Sequence, residues 1–388
     1  MLARMSGETQ SVSGVRNARG FRSIIGNEFP LLIGLGTAVI FFATGSQLVE
    51  IIAHPVALIG VFLWLFAVIL WSAICVVRHA DCLAIKVGEP YGTLILTLSA
   101  ISIEVVMIST AMLHGANNPT LGRDAIFAVI MIALNGFVGL CLLMGGLRYR
   151  EQHYNLQGVN SYLNVIMTLA VLGLVLPNFT TTTKGPTFST EQEIFLTVMS
   201  LLLYAIFLLI ETIRHRPYFI ESKETVVAAN FAHQPLQVSS TGFHSVMLLL
   251  YLVSVILLAK KFAVPLDNSI EQYGMPQEFG GAMIAALVLA PEGMGAIEAT
   301  LRNQLQRSIN ILLGSVLATI GLTIPAVLTI SLITKRPVTL GVQGANLPLL
   351  LLTLAVCVVT FTSRKTNVLQ GCVHLLLLAV FVLLIFVP

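Results

Sequence analysis

The sequence predicts an all-α polytopic membrane protein of about eleven transmembrane helices, arranged as one leading helix followed by two inverted five-helix repeats. Three observations predict it. Of 388 residues, 56% are hydrophobic and only 10% charged, where a soluble domain carries about 25% charge, and mean hydropathy is +0.90. Apolar runs of ~20 residues, enough to cross the hydrocarbon core, recur along the whole chain. Two of these runs hold a lone glutamate near their middle, at matching places in the two halves.

Residues 1–28 carry Arg4, Arg16, Arg19 and Arg22 among Ser, Gly and Gln and read as a cytoplasmic N-terminal tail. Residues 29–54 hold the leading transmembrane helix, about 29–49, whose apolar run is too long for a signal peptide. The first five-helix repeat, 55–214, places spans at about 55–78, 89–114, 122–147, 159–178 and 190–213. The longest polar connection, 215–241, reads as a cytoplasmic inter-repeat linker. The second repeat, 242–388, places spans at about 242–262, 276–300, 304–334, 345–363 and 367–387.

With the N-terminus inside, the tail and the cytoplasmic loops hold fifteen of the 21 Lys and Arg residues, as the positive-inside rule requires. The odd span count then puts the C-terminus outside. Five helices per repeat make the second copy enter from the opposite side, which is the inverted arrangement common in secondary transporters.

The two lone glutamates organise the chain. GTLILTLSAISIEVVMIST runs from Gly92 with Glu104 as its only charge, and GGAMIAALVLAPEG runs from Gly280 to Glu292 and Gly293; each glutamate follows its glycine by twelve residues. A polar turn with an arginine follows in both halves, Arg123 in the first and Arg307 in the second. An ionisable group at the centre of a span costs roughly 2.5 kcal/mol or more, so it calls for a proton, a partner or an ion. Pro291 lacks an N–H, and its ring presses on the Leu287 carbonyl, so a bend and a freed carbonyl are expected beside Glu292. A carboxylate next to a freed carbonyl at membrane depth is an oxygen-rich cation site in outline. Two such carboxylates carry a charge of −2 that one divalent cation or two protons neutralise equally, so competition for the same oxygens couples the two ions.

Other residues add detail. Thr93, Thr97 and Ala100 lie at helical spacing from Glu104, and Gly281, Ala285, Gly295, Ala296 and Ala299 let a neighbour approach the second helix closely. Glu89 stands at the start of its span, as a helix cap or as an entry residue for protons or ions. His79, beside Arg78 and Asp81, stands at the cytoplasmic surface as a structural histidine or a pH-sensing one. Glu298 reads as a solvated end residue, and His374, within the last span, as a hydrogen-bonded structural histidine or a pH-sensing one. The five cysteines show no CxxC spacing, so no redox or metal-cofactor role is expected. No HExxH or GxSxG motif is present, and no basic patch with interleaved aromatics, so neither an enzyme nor a nucleic-acid partner is expected.

The runs VVRHADCLAIKVGEPYGTLILTLSAISIEV (76–105), APEGMGAIEATLRNQLQRSINILLGSVLATIGLTIP (290–325) and SRKTNVLQGCVHL (363–375) closely resemble the bacterial calcium (and sodium or potassium)/proton antiporters of the cation/calcium exchanger superfamily. The resemblance extends from about Val76 to the C-terminus. It implies an inner-membrane antiporter whose repeat glutamates, here Glu104 and Glu292, bind the cation and exchange it for protons. Gly314, Ser315 and Pro325 also match, and the resemblance makes Ser315 a ligand. It implies no resident cofactor: the ions are cargo, and the partners are inorganic cations, protons and the lipid bilayer. The pattern departs from many calcium/proton exchangers where Ile101 and Leu289 replace an asparagine three residues before each glutamate. The serine and asparagine expected near Ile132 and Ala133 are also missing, although Asn135 lies close by. The expected activity is export of Ca2+ in exchange for H+, with Na+/H+ or K+/H+ exchange on the same architecture as the alternative.

Overall fold

A computed structural model describes residues 28–44, 53–88, 91–114, 119–219, 240–363 and 365–387. Most of the expected tail and linker, and Glu89, lie outside the described residues. Among those described there are eleven helices: α1 (Phe29–Ala43), α2 (Pro55–Val87), α3 (Tyr91–His114), α4 (Leu121–Tyr149), α5 (Leu156–Asn178), α6 (Thr190–Arg214), α7 (Thr241–Glu271), α8 (Gln277–Leu301), α9 (Leu305–Thr334), α10 (Asn346–Thr360) and α11 (Val368–Phe386). Eight are long and apolar enough to cross a membrane; α1 and α10 are shorter apolar helices, and in α3 the apolar stretch is Thr97–Thr110. The all-helical class is as the hydropathy predicts.

Local chemistry sets several ends. Ser189 and Asn367 open α6 and α11 with reciprocal capping boxes through Gln192 and Gln370, and Asn155 accepts the Gln157 and Gly158 amides at the start of α5. Two helices are longer than hydropathy suggested. The run 55–78 continues as helix to Val87, and the run 242–262 continues through Pro265 to Glu271. Hydropathy marks the hydrocarbon thickness, whereas backbone hydrogen bonding continues wherever polar residues find partners or water.

Burial sorts the helices into a centre and a shell. In α4, α8 and α9, 78%, 61% and 67% of the most apolar stretch is buried, against 28% in α6 and α11. The central helices therefore present few apolar side chains to lipid, whereas α6 exposes Phe195 and Leu202 and α11 exposes Leu369 and Leu376. α8 packs along α4, and α2 along α7, with α1 leaning on both. Close approach depends on glycine: a Cβ on Gly281 would stand 2.5 Å from the Asp124 carbonyl carbon, so α8 and α4 meet backbone to backbone there.

The loops gather at two ends. At one, Tyr149 donates to the Leu301 carbonyl at 2.7 Å, Gln152 donates to the Thr300 carbonyl at 3.2 Å, and Lys365 pairs with Glu151 at 2.7 Å. The α4–α5, α8–α9 and α10–α11 connections thus share a face, as the predicted topology requires of three loops on one side. The Lys365 ammonium holds the Glu151 carboxyl below the usual carboxylate range. At the opposite end the segment between α9 and α10 buries Val338, Leu340 and Val342. Its amides bond across the bundle: Thr339 to the Pro119 carbonyl at 3.0 Å, Gly341 to Pro186 at 3.1 Å and Val342 to Leu174 at 2.8 Å.

Candidate functional site

Glu104 sits midway along α3 and Glu292 midway along α8, and the fold brings these two positions to the wall of one cavity of about 520 Å3. Glu104 is 2% exposed, and Glu292 is half-buried with one carboxylate oxygen, Oε2, fully enclosed. The central helix α9 supplies neutral oxygens to both. Thr319 donates to Glu104 Oε2 at 2.7 Å, the Thr323 hydroxyl lies against the same carboxylate, and Ser315 lies against Glu292.

α9 can do this because its α geometry is interrupted. Thr319–Thr323 forms a π turn, as do Ile132–Phe137 in α4, Val171–Val175 in α5 and Ile210–Arg214 in α6. Such one-residue insertions re-aim side chains and concentrate at functional sites. In α9 the turn presents Thr319 and Thr323 to Glu104. In α4 it presents Asn135 away from the cavity: Asn135 donates to Thr353 at 2.8 Å, and its side-chain oxygen faces His374 Nδ1 at 3.1 Å. His374 is fully buried, and its other ring nitrogen lies 3.0 Å from Thr360. Asn135 and His374 thus lock α4 to α10 and α11.

Three buried oxygens at the site, Glu104 Oε1, Glu292 Oε2 and Thr323 Oγ1, have no hydrogen-bond partner among the described residues. Buried polar atoms normally have one. An arrangement of carboxylates and hydroxyls with spare lone pairs suits a hard cation or protons. No third His, Cys, Asp or Glu joins the pair into a metal cluster among the described residues.

Thr97, Ala100, Gly295 and Ser315 line the cavity, as does Glu298 at its mouth, where it pairs with Arg302. The side chain of Thr93 lies outside the described residues. The cavity opens toward the end that carries the α8–α9 turn, where Asp81, Arg216, Arg302 and Arg307 line it. α8 runs through Pro291 without interruption. His79 is not at the surface: the unforeseen extension of α2 carries it into the protein, 1% exposed, and it is absent from the cavity wall. It lies 2.9 Å from His244 through the two Nδ1 atoms and 3.2 Å from Glu28, which also accepts from Tyr251 at 2.9 Å.

Comparison with known proteins gives the family. A family model described as sodium/calcium exchanger protein matches residues 57–213 and 244–387. The chain belongs to that family. Each matched segment holds one of the two glutamates. The chain is 37% identical over 361 residues to the sodium-potassium/proton antiporter ChaA of Escherichia coli (strain K12), covering 92% of this chain and 95% of that protein. It is 20% identical over 281 residues to the Ca2+/H+ antiporter ChaA of Bacillus subtilis (strain 168), covering 68% and 76%. The crystal structure of the Ca2+/H+ antiporter protein YfkE shares the fold, with a TM-score of 0.71 at 18% identity over 93% of this chain and 98% of that one. This family member is a multi-pass membrane transporter of the cation/calcium exchanger superfamily.

Sequence reading missed Thr319 and Thr323. Both stand in the quoted run LATIGLTIP and lie four residues apart, a spacing that puts two hydroxyls on one helix face. That spacing, downstream of Ser315, is the signal that could have found them. It also missed Glu28 and Tyr251, whose pairing with His79 depends on three helices meeting.

Proposed function

We propose that this chain is a cation/proton antiporter of the bacterial inner membrane in which Glu104 and Glu292 bind the cation and the protons by turns. The observation that carries the reading is the meeting of two glutamates, one on α3 and one on α8, at a cavity lined toward one end by Asp81, Arg216, Arg302 and Arg307. Ionised, the pair holds a cation; protonated, it releases it. Alternating access then needs the two repeats to tilt so that the site faces the other end, which the loop between α9 and α10 now closes. The positive-inside rule assigns the open end to the cytoplasm, the N-terminus to the same side and the C-terminus to the outside. Ser315 joins the cation shell beside Glu292, with Thr319 and Thr323 beside Glu104.

The favoured cargo from the sequence is Ca2+, whose charge two carboxylates match. A second reading, exchange of Na+ or K+, is supported by Ile101 and Leu289, which offer no oxygen where a divalent ion needs six to eight. The 37% identity to a sodium-potassium/proton antiporter supports it too. The deciding experiment uses purified protein in liposomes holding a pH gradient, with lumenal pH recorded as Ca2+, Na+ or K+ is added. Each ion that is exchanged dissipates the gradient, and Glu104→Gln or Glu292→Gln stops it. Dissipation by none of the three, or wild-type activity in either variant, overturns the reading.

A further inference from the structure

We propose that Glu193 is a proton-binding site separate from Glu104 and Glu292, and that the proton it holds keeps the end of the bundle remote from the cavity mouth shut. This adds a gate to the antiport reading above, and its test needs no transport, so either can fail alone.

Glu193 stands in the first turn of α6, where a carboxylate ordinarily faces water and favours the helix dipole. Glu191 in the same turn is exposed in that way. Glu193 is 7% exposed and meets the last turn of α9. There the Ser331 hydroxyl lies 3.1 Å from Glu193 Oε1 and 3.0 Å from the Arg336 carbonyl oxygen. A hydroxyl has one hydrogen to donate. It can therefore serve only one of these two acceptors, unless the other brings a hydrogen of its own, which a carbonyl cannot do. Both contacts become hydrogen bonds when Glu193 is protonated: the carboxyl donates to Ser331 Oγ, and Ser331 donates to the Arg336 carbonyl. The surrounding charges agree with this state. Of the helices packed on α6, α5 carries no charged residue and α9 carries Arg307 at its far end. Lys184 lies in the connection before α6, and Lys335 and Arg336 follow α9. None of these makes an ion pair with Glu193 among the described residues. A buried carboxylate held by a neutral hydroxyl is more stable as the acid.

Arg336 begins the segment that closes this end. Lys335 takes a left-handed backbone conformation, with φ 55°, which turns the chain out of α9 and carries the Arg336 carbonyl back to Ser331. Val338, Leu340 and Val342 are then buried at every second residue. Besides the amide bonds already described, Asn178 donates to the Val342 carbonyl at 2.7 Å and Arg123 to the Gly341 carbonyl at 3.3 Å. The strap is thus pinned to α4 and α5, and Glu193 fastens its first residues to α6. Loss of the proton leaves a buried charge that takes the single Ser331 hydrogen, frees the Arg336 carbonyl and favours entry of water between α6 and α9. The closed form holds the proton, so closure is favoured at low pH and weakens as pH rises. The pH at that face then governs opening, apart from any competition at Glu104 and Glu292.

The test places a cysteine under the strap, Leu340→Cys, at a position 0% exposed, and measures its labelling by a maleimide in purified protein between about pH 6 and 8.5. Rates are read from the labelled peptide and divided by that of free N-acetylcysteine at the same pH, which removes the ordinary titration of a thiol. With Glu193 in place the normalised rate is expected to rise about fivefold across the range, a factor that one hydrogen bond supports. Glu193→Gln, whose amide donates to Ser331 as the acid does, is expected to keep the low rate throughout, and Ser331→Ala the high one. No rise with Glu193 in place, or an equal rise in Glu193→Gln, overturns the proposal. If Glu193→Gln does not fold, a rise that persists in Ser331→Ala overturns it. If Leu340→Cys does not fold, Val342→Cys, 2% exposed, reports by the same criteria.

Discussion

The Thr319 hydroxyl donates to Glu104 Oε2 at 2.7 Å across 215 residues of sequence, so α9 supplies a hydrogen bond to the glutamate of α3. The bond favours the ionised carboxylate, the form that holds a cation. Thr319→Val keeps the shape and removes the donor. A hydrogen bond to a charged group contributes about 1.5–3 kcal/mol, so apparent cation affinity at neutral pH should fall at least about tenfold, since 1.4 kcal/mol is one decade. Cation-driven proton release with this variant checks it; unchanged affinity would remove Thr319 from the site.

Competition between protons and cation sets the pH dependence. As pH rises the pair is freer of protons, so KM for the cation must fall. If loading displaces two protons, log KM should fall by up to two per pH unit; if it displaces one, by up to one. Rates measured at several cation concentrations between pH 6 and 8.5 give the slope. A KM independent of pH would mean that the two ions do not share the carboxylates.

The His79–His244 contact predicts an acid sensitivity separate from transport. Only one hydrogen fits between two Nδ1 atoms 2.9 Å apart, so both rings cannot become imidazolium while α2 and α7 stay in contact. The unfolded chain takes up both protons below about pH 6.5, hence the folded protein loses stability as pH falls through that range. The charges around the pair are Glu28, Arg78 and Lys86, with Tyr251 and Cys75 as the neutral neighbours. Thermal unfolding in detergent from pH 8 to 5.5 should show a steeper loss in the wild type than in His244→Gln. Parallel curves would count against the pair as a pH-responsive contact.

Backbone contact between α8 and α4 predicts the cost of a single methyl group. In Gly281→Ala the new Cβ would meet the Asp124 carbonyl carbon at 2.5 Å and the Ala125 nitrogen at 2.6 Å, and neither is a side chain that can turn away. Overpacking of this kind costs about 1–3 kcal/mol. A melting temperature several degrees lower is expected, with Gly36→Ala, which meets nothing within 4 Å, as the neutral comparison. Equal melting temperatures would mean that the helices separate freely.

Much of this protein was legible in one dimension. A bilayer imposes a length and an apolar composition on every span, so eleven helices can be read from hydropathy, and the cost of a buried charge makes Glu104 and Glu292 conspicuous. Matching glycine-to-glutamate spacing drew attention to both glutamates at once. What hydropathy lacks is the angle at which helices meet. Thr319 and Thr323 look like ordinary span residues until the π turn in α9 brings them to Glu104. His79 looked like a surface residue because α2 outlasts its apolar run by nine residues. Asn135, beside the expected ligand position, turned out to serve the packing of α4 on α10 and α11. Helix existence follows from local composition and the solvent around it. Which oxygens face a cation follows from contacts between residues up to 215 positions apart, and only the packed tertiary structure decides those.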